Sequence, residues 1–132
     1  MLLMAPLLLA SGCRNRGRDE AAGVMRALDL LRAAPDDQKR GPLEALSRVP
    51  CSRPVVCAAR DRCAGVYRHL ADAEDRMQAM TERLANDPPR TAEAKDAFKS
   101  QLDRAEAEID DFRRELGSCE QAASRMRLTF GI

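Results

Sequence analysis

The chain has few aromatic residues, a single histidine and almost no net charge. Its 132 residues include no tryptophan, one tyrosine and three phenylalanines, so large aromatic binding platforms are scarce. Lysine and arginine number 22 against 21 aspartate and glutamate residues, which leaves no global field to attract nucleic acid. Glycine-rich phosphate loops are also absent from the sequence. These absences argue against a nucleic-acid-binding protein and against an enzyme that holds nucleotides in such a loop.

Candidate catalytic residues are equally few. His69 is the only histidine, and no serine or cysteine nucleophile stands at a recognisable spacing from it. We therefore interpret His69 as a salt-bridged surface residue. The acidic runs at 72–75 and 106–111 point to several sides of a helix and are interpreted as solvated faces. The sequence thus predicts a protein that is not an enzyme, with no cofactor, no metal and no small-molecule substrate.

The N-terminus is a short apolar run that ends in a cysteine. Leu2 to Ala10 is much shorter than the about 20 apolar residues that span a bilayer, but it suits the central region of a cleaved secretion signal. The next residues complete Ala10-Ser11-Gly12-Cys13, which resembles the lipobox of bacterial lipoproteins. In that family, small residues let the peptidase approach and the cysteine thiol receives diacylglycerol. The resemblance covers residues 1–13 only and implies a signal peptide over 1–12 and lipidation at Cys13.

The same resemblance implies where the protein resides. A lipidated Cys13 would hold it to a membrane of the cell envelope. Arg14 comes next, and because retention at the Gram-negative inner membrane typically uses aspartate there, the resemblance implies the periplasmic face of the outer membrane. Residues 13–18 are then expected to form a polar tether. Its three arginines either remain solvated, which we favour, or touch anionic headgroups.

Composition and apolar spacing predict an all-α fold for the remainder. Helix-forming residues dominate, and residues 19–132 match the length of one domain. A first helix is expected from Asp19, as its N-cap, to Ala34. A loop over 35–42 and a short helix over 43–49 follow.

Two heptad seams predict a helical hairpin in the second half. The first seam consists of Val56, Ala59, Cys63, Val66, Leu70, Ala73, Met77, Met80 and Leu84. The second consists of Phe98, Leu102, Ala105, Ile109, Phe112, Leu116, Cys119, Ala123 and Met126. We expect helices at about 54–86 and 91–127, with Pro54 in a first turn and Thr91 as an N-cap. The short link makes them antiparallel, and the first helix should cover one side to give a three-helix bundle.

Pairing the seams fixes a register. It places Leu84 opposite Phe98, Met77 opposite Ala105, Leu70 opposite Phe112, Val66 opposite Leu116 and Cys63 opposite Cys119. Flanking charges then place Arg76 near Glu108, His69 near Glu115 and Arg60 near Glu120. Such pairs contribute only a few tenths of a kcal/mol and select the register weakly.

Four cysteines remain when Cys13 is set aside, an even number that suits a disulfide framework in an oxidising compartment. Five residues separate Cys51 from Cys57 and Cys57 from Cys63, a wider spacing than that of paired zinc ligands. In one helix, Cys57 and Cys63 would lie about 9 Å apart along the axis, too far for a bridge. The sequence therefore predicts Cys63 bonded to Cys119 and Cys51 bonded to Cys57.

Some features leave two interpretations. The apolar tail at 128–132 either caps the open end of the bundle, which we favour, or forms an exposed recognition strand. The first helix either stays on the hairpin or yields to a partner helix. Tyr67 is expected to pack under the first helix.

These observations predict a small envelope lipoprotein that acts as a non-enzymatic scaffold or protein-binding module at the membrane surface, with another envelope protein as its partner. The alternative is an inhibitor, immunity or secretin-piloting lipoprotein with one specific partner. A concave groove between the first helix and the hairpin would favour the alternative, and uniformly polar outer faces would favour the scaffold.

Overall fold

Four α-helices and one short 3-10 turn make up the described part of the chain, which shows no strand. The computed structural model describes residues 11–132, with side chains from position 15 onward. The elements in chain order are α1 (Ser11–Ala33), a 3-10 turn (Asp36–Gln38), α2 (Arg40–Ser47), α3 (Pro54–Asn86) and α4 (Ala92–Phe130). The all-α helical bundle is confirmed.

The hairpin of α3 and α4 has the predicted boundaries at its turn. Pro54 occupies the first turn of α3, and the Thr91 hydroxyl accepts a 3.1 Å hydrogen bond from the backbone N–H of Ala94 as the N-cap of α4. α4 continues three residues past the predicted end, to Phe130. It stops there because Gly131 adopts the left-handed conformation, with φ of 64°, and donates its N–H to the Arg127 carbonyl.

The first helix begins earlier than predicted. α1 starts at Ser11, so Asp19 lies inside the helix and the prediction that it is the N-cap is wrong. Residues 13–18, expected to be a tether, are helical. A Cβ at Gly17 would stand 2.7 Å from Cε1 of Phe130, and this close approach docks the early turns of α1 against the end of α4. Polar composition gives no sign of such a contact.

The predicted signal peptide falls largely on residues 1–10, which lie outside the described residues. The side chain of Cys13 lies outside them as well.

The short second helix is shifted towards the N-terminus. α2 begins at Arg40, where a loop was expected, because Pro42 fits the first turn of a helix. It ends at Ser47, before the expected Val49, because Pro50 disfavours helical backbone at the residue that precedes it.

The core lies between α1, α2 and one half of the hairpin. Its buried members are Ala21, Val24, Leu28, Leu31, Leu43, Leu46, Val56, Ala59, Cys63, Ala64, Val66, Tyr67, Ala71, Cys119, Ala123 and Met126. On α3 this cluster reaches Ala71, and on α4 the half-buried Phe112 packs against it. Beyond these two positions α3 and α4 continue to their connecting turn. We call residues 72–111 the distal hairpin.

The predicted register is correct. The guanidinium of Arg76 donates a 3.0 Å hydrogen bond to Glu108, and Nε2 of His69 lies 3.2 Å from Oε2 of Glu115. The predicted pair of Arg60 with Glu120 is wrong. Arg32 of α1 donates to Glu120 at 2.6 Å, while Arg60 donates to the Val49 carbonyl at 2.9 Å. Glu120 is paired in this way because α1, which lies outside the hairpin, supplies a closer cation.

Candidate functional site

Both predicted disulfides are present. Cys63 and Cys119 are fully buried and join α3 to α4 with a Cα–Cα distance of 4.6 Å. Cys51 and Cys57, with a Cα–Cα distance of 5.4 Å, attach the connection before α3 to the second turn of that helix. Both separations lie within the range that a disulfide accepts. Covalent links therefore hold the hairpin and the entry to it in place.

The connection before α3 is also attached to α1. The carboxylate of Glu20 accepts hydrogen bonds from the backbone N–H and the hydroxyl of Ser52, each at 2.8 Å. The bond from the Ser52 backbone, followed by that from its hydroxyl, lowers the pKa of Glu20. This contact ties the beginning of α1 to the beginning of α3.

The other end of α1 is held by a buried lysine that sequence reasoning missed. The ammonium of Lys39 donates to the carbonyls of Leu31 at 2.9 Å and Ala34 at 2.7 Å, and it lies 5.8 Å from the centre of the Tyr67 ring. The last carbonyls of a helix lack partners within it. Lys39 thus satisfies the C-terminal end of α1 and closes the turn into α2. A lysine in a charged loop carries no periodic signal that would reveal this role.

Arg40 fastens α2 to the hairpin where the core ends. Its guanidinium donates to Asp72 at 2.7 Å and to Asp75 at 3.0 Å. The acidic run at 72–75 was interpreted from the sequence as solvated. Two of its carboxylates instead accept hydrogen bonds from α2. Past this point, the hairpin continues for roughly 17 Å to the end of α3.

Apolar seam residues become accessible along the distal hairpin. Met77 and Leu84 are 39% and 48% exposed, although both belong to the heptad seam. They stand seven residues apart and therefore form one stripe on α3. Met80, at the intervening seam position, is buried. The distal hairpin thus offers an apolar stripe supported by a packed seam.

The distal hairpin is acidic. Twelve acidic and six basic residues lie between positions 72 and 111. The region that contains the apolar stripe of Met77 and Leu84 therefore has an excess of acidic residues. A binding partner that complements this surface would present apolar side chains flanked by basic ones.

His69 lies beside a shallow surface groove between α3 and α4. The groove is lined by Ala58, Asp61, Arg62, Gly65, Val66, His69 and Glu115. Its lining contains no serine or cysteine. His69 lies at the surface, as predicted, and its imidazole faces the carboxylate of Glu115.

The interface of α1 with the rest of the bundle is filled along the middle of the helix. Val24, Leu28 and Leu31 are fully buried there. Tyr67 is buried in the same cluster, as predicted, and contacts Phe112 edge-on with ring centres 5.3 Å apart. Burial raises the pKa of Tyr67, and the nearby Arg32 guanidinium partly opposes this.

The C-terminal tail follows neither interpretation fully. Residues 128–130 extend α4, so the interpretation of the tail as an exposed strand is wrong. Phe130 caps the early turns of α1 at Gly17, whereas Leu128 is 85% exposed.

Among the side chains that the structure describes, from position 15 onward, no group of three or more histidine, cysteine, aspartate or glutamate residues is arranged to hold a metal ion. None of the four helices described combines the length and apolar character that a membrane span requires. Comparison with protein-family models, curated proteins and solved structures gives no match.

Proposed function

We propose that this protein is a small lipid-anchored scaffold of the cell envelope, which holds another envelope protein near the membrane through its distal hairpin. The lipid would be carried by Cys13, in the lipobox-like sequence, on the periplasmic face of the outer membrane. Two disulfides support an oxidising compartment, because such bridges seldom persist in a reducing one. The proposed role is binding without catalysis.

The main observation in support of protein binding is the exposed stripe of Met77 and Leu84. These side chains lie on the hairpin where α1 and α2 no longer cover it. Apolar side chains on a helical surface, flanked by charge, are the kind of feature that a partner helix recognises. The acidic surroundings favour a partner with an apolar stripe flanked by lysine or arginine.

The alternative role, as an inhibitor, immunity or piloting factor, called for a groove between α1 and the hairpin. The middle of that interface is occupied by Val24, Leu28 and Leu31. The outer faces, which the scaffold role expected to be uniformly polar, are not so either, because Met77 and Leu84 are exposed. The distal hairpin is therefore the better candidate for a protein-binding surface. A single high-affinity partner on that surface would still be compatible with the alternative role.

Crosslinking in intact cells, followed by mass spectrometry, tests the proposal. We expect one dominant crosslinked envelope partner with the wild-type protein and its loss in the double variant Met77→Gln and Leu84→Gln. Glutamine preserves helix propensity, so the hairpin should remain folded. The matched control is Leu30→Gln, which changes a leucine that is 67% exposed on α1.

The control variant should retain the partner. Equal loss in the control and the stripe variant, or no loss in either, would remove the distal hairpin as the binding surface. Circular dichroism of each purified variant verifies that the helices persist.

A further inference from the structure

One end of the bundle combines exposed arginines with the most exposed large apolar side chain described. This basal end is where α1 and α3 begin and α4 finishes, opposite the hairpin turn. Leu128 is 85% exposed there, on the last turn of α4. An exposed leucine alone is common in proteins. Its surroundings are what make this one informative.

Leu128 borders three shallow grooves, and each of them brings a different arginine to it. The first also contains Arg18 of α1, the second Arg125 and the third Arg127. All three arginines are exposed. Leu128 therefore lies beside arginines supplied by two helices. Glu120 also lines the groove that contains Arg125, and its carboxylate accepts a hydrogen bond from Arg32.

The three arginines beside Leu128 lack acidic partners among the described residues. Within the described residues, neither Arg125 nor Arg127 forms an ion pair, and Arg127 contacts only the Ser124 hydroxyl at 3.3 Å. The neighbouring carboxylate of Glu20 is taken up by Ser52 and by Arg16. The positive charge at the basal end is thus available to an external anion.

The opposite end of the molecule has the opposite charge. The distal hairpin, residues 72–111, has twelve acidic and six basic residues. This separation of charge along the long axis would turn the basal end towards a negatively charged surface and the hairpin turn away from it. Near-zero net charge conceals this polarity in the composition.

The start of α1 lies at the same end. Gly17 contacts Phe130, so the turns from Ser11 onward extend roughly 9 Å past the end of α4. The described part of α1 therefore begins at the end of the molecule that carries Leu128. Any attachment through the N-terminus would bring Leu128 and its arginines close to the bilayer.

We propose that the basal end docks directly on an anionic phospholipid surface, with Leu128 inserted among the headgroups and Arg18, Arg125 and Arg127 bound to phosphates. Guanidinium groups match phosphate in geometry, and a partly inserted apolar side chain adds hydrophobic contact. Docking of this kind needs no acyl chain. If the proposed function holds, it also orients the molecule, so that the distal hairpin stands away from the membrane towards its partner.

Vesicle co-sedimentation tests this inference independently of lipidation. The full chain carries Cys13→Ser, which cannot be acylated, and is mixed with vesicles of pure phosphatidylcholine or of phosphatidylcholine with phosphatidylglycerol. The readout is the ratio of the two partition coefficients, so any contribution from the apolar N-terminal segment cancels. We expect a clear preference for the vesicles with phosphatidylglycerol, weakened by high salt.

Charge-matched variants locate the surface. Arg125→Gln with Arg127→Gln should lower the ratio about 30-fold, since each arginine near an anionic membrane contributes about fivefold. Leu128→Ser should weaken partition onto the vesicles with phosphatidylglycerol. The control, Arg83→Gln with Arg90→Gln, removes two arginines at the hairpin turn and should change the ratio less than about twofold.

Equal partition onto the two kinds of vesicle would overturn the inference, as would equal effects of the basal and hairpin-turn variants. If the protein docks in this assay but is never acylated in cells, docking through the basal end stands and the proposed lipid anchor is ruled out. The two failures are therefore distinguishable.

Discussion

Cys63 and Cys119 are bonded to each other at positions where the heptad seams of α3 and α4 face one another, and both are fully buried. Their bridge closes a loop with a sequence separation of 56 residues. The second bridge, between Cys51 and Cys57, spans only 6. Loop length therefore distinguishes the two bridges in their expected effect on stability.

Removing the long-range bridge should cost more than removing the local one. In the chain-entropy description, replacement of Cys63 and Cys119 by alanine lowers the free energy of unfolding by about 4 kcal/mol. The same replacement at Cys51 and Cys57 lowers it by about 2 kcal/mol. Urea unfolding of the two double variants measures the difference. A larger loss of stability on removal of the Cys51–Cys57 bridge would contradict the larger stabilisation that we assign to the Cys63–Cys119 bridge.

Lys39 should contribute strongly to stability, although it is a single charged residue in a connection. Lys39→Met leaves the carbonyls of Leu31 and Ala34 without their donor, so we expect a loss of about 2 kcal/mol. The control is Lys99→Met, since Lys99 forms an exposed surface pair with Asp103 and its loss should lower the free energy of unfolding far less. Thermal or urea unfolding compares them, and equal losses would rule out the capping role.

The hairpin was predictable because its information is local and repeated. Heptad seams, Pro54 and Thr91 specify two helices and their ends, and the antiparallel register then brings Cys63 to Cys119. Each of these signals agrees with the others. Such agreement between local and long-range preferences is characteristic of a well-specified fold.

What escaped prediction depends on contacts between segments distant in sequence. The early start of α1 depends on Gly17 against Phe130. Glu120 pairs with Arg32 in place of Arg60 because α1 passes close to α4. The contacts of Lys39 depend on where α1 ends and α2 begins. The distal hairpin is exposed because α1 and α2 cover only part of α3. Spacing within one helix contains none of this information.

Tyr67 offers a spectroscopic test of burial, because it is the only tyrosine and the chain has no tryptophan. Burial raises the pKa of Tyr67 above its ordinary value of 10.0. Ultraviolet titration of the folded protein should therefore show tyrosinate forming at higher pH than in urea. A midpoint in the folded protein at or below that in urea would contradict the packing of Tyr67 under α1.

The same shift predicts a dependence of stability on alkaline pH. Above the ordinary pKa of Tyr67 the unfolded state releases the phenolic proton before the folded state does. Below the ordinary pKa, Tyr67 therefore does not change the pH dependence of stability. As the pH rises above that value, the free energy of unfolding falls. Urea unfolding across this range should show a steeper decline for the wild type than for Tyr67→Phe. Parallel declines would indicate an exposed phenol.

Two helical glycines should respond differently to alanine. A Cβ at Gly117 meets nothing within 4 Å, so Gly117→Ala should raise the free energy of unfolding by about 0.5 to 1 kcal/mol through helix propensity. At Gly17 the new Cβ meets the Phe130 ring, and the displacement of that ring should offset the gain. Equal stabilisation by both replacements would show that the early turns of α1 do not dock on α4.

Lipid attachment at Cys13 is the claim on which envelope placement depends, and incorporation of radiolabelled palmitate measures it directly. We expect label in the wild-type protein and in a variant with Cys51 and Cys57 replaced by alanine, and none in Cys13→Ala. Equal labelling of Cys13→Ala and wild type, or recovery of unlabelled full-length protein from the soluble cell contents, would contradict the account.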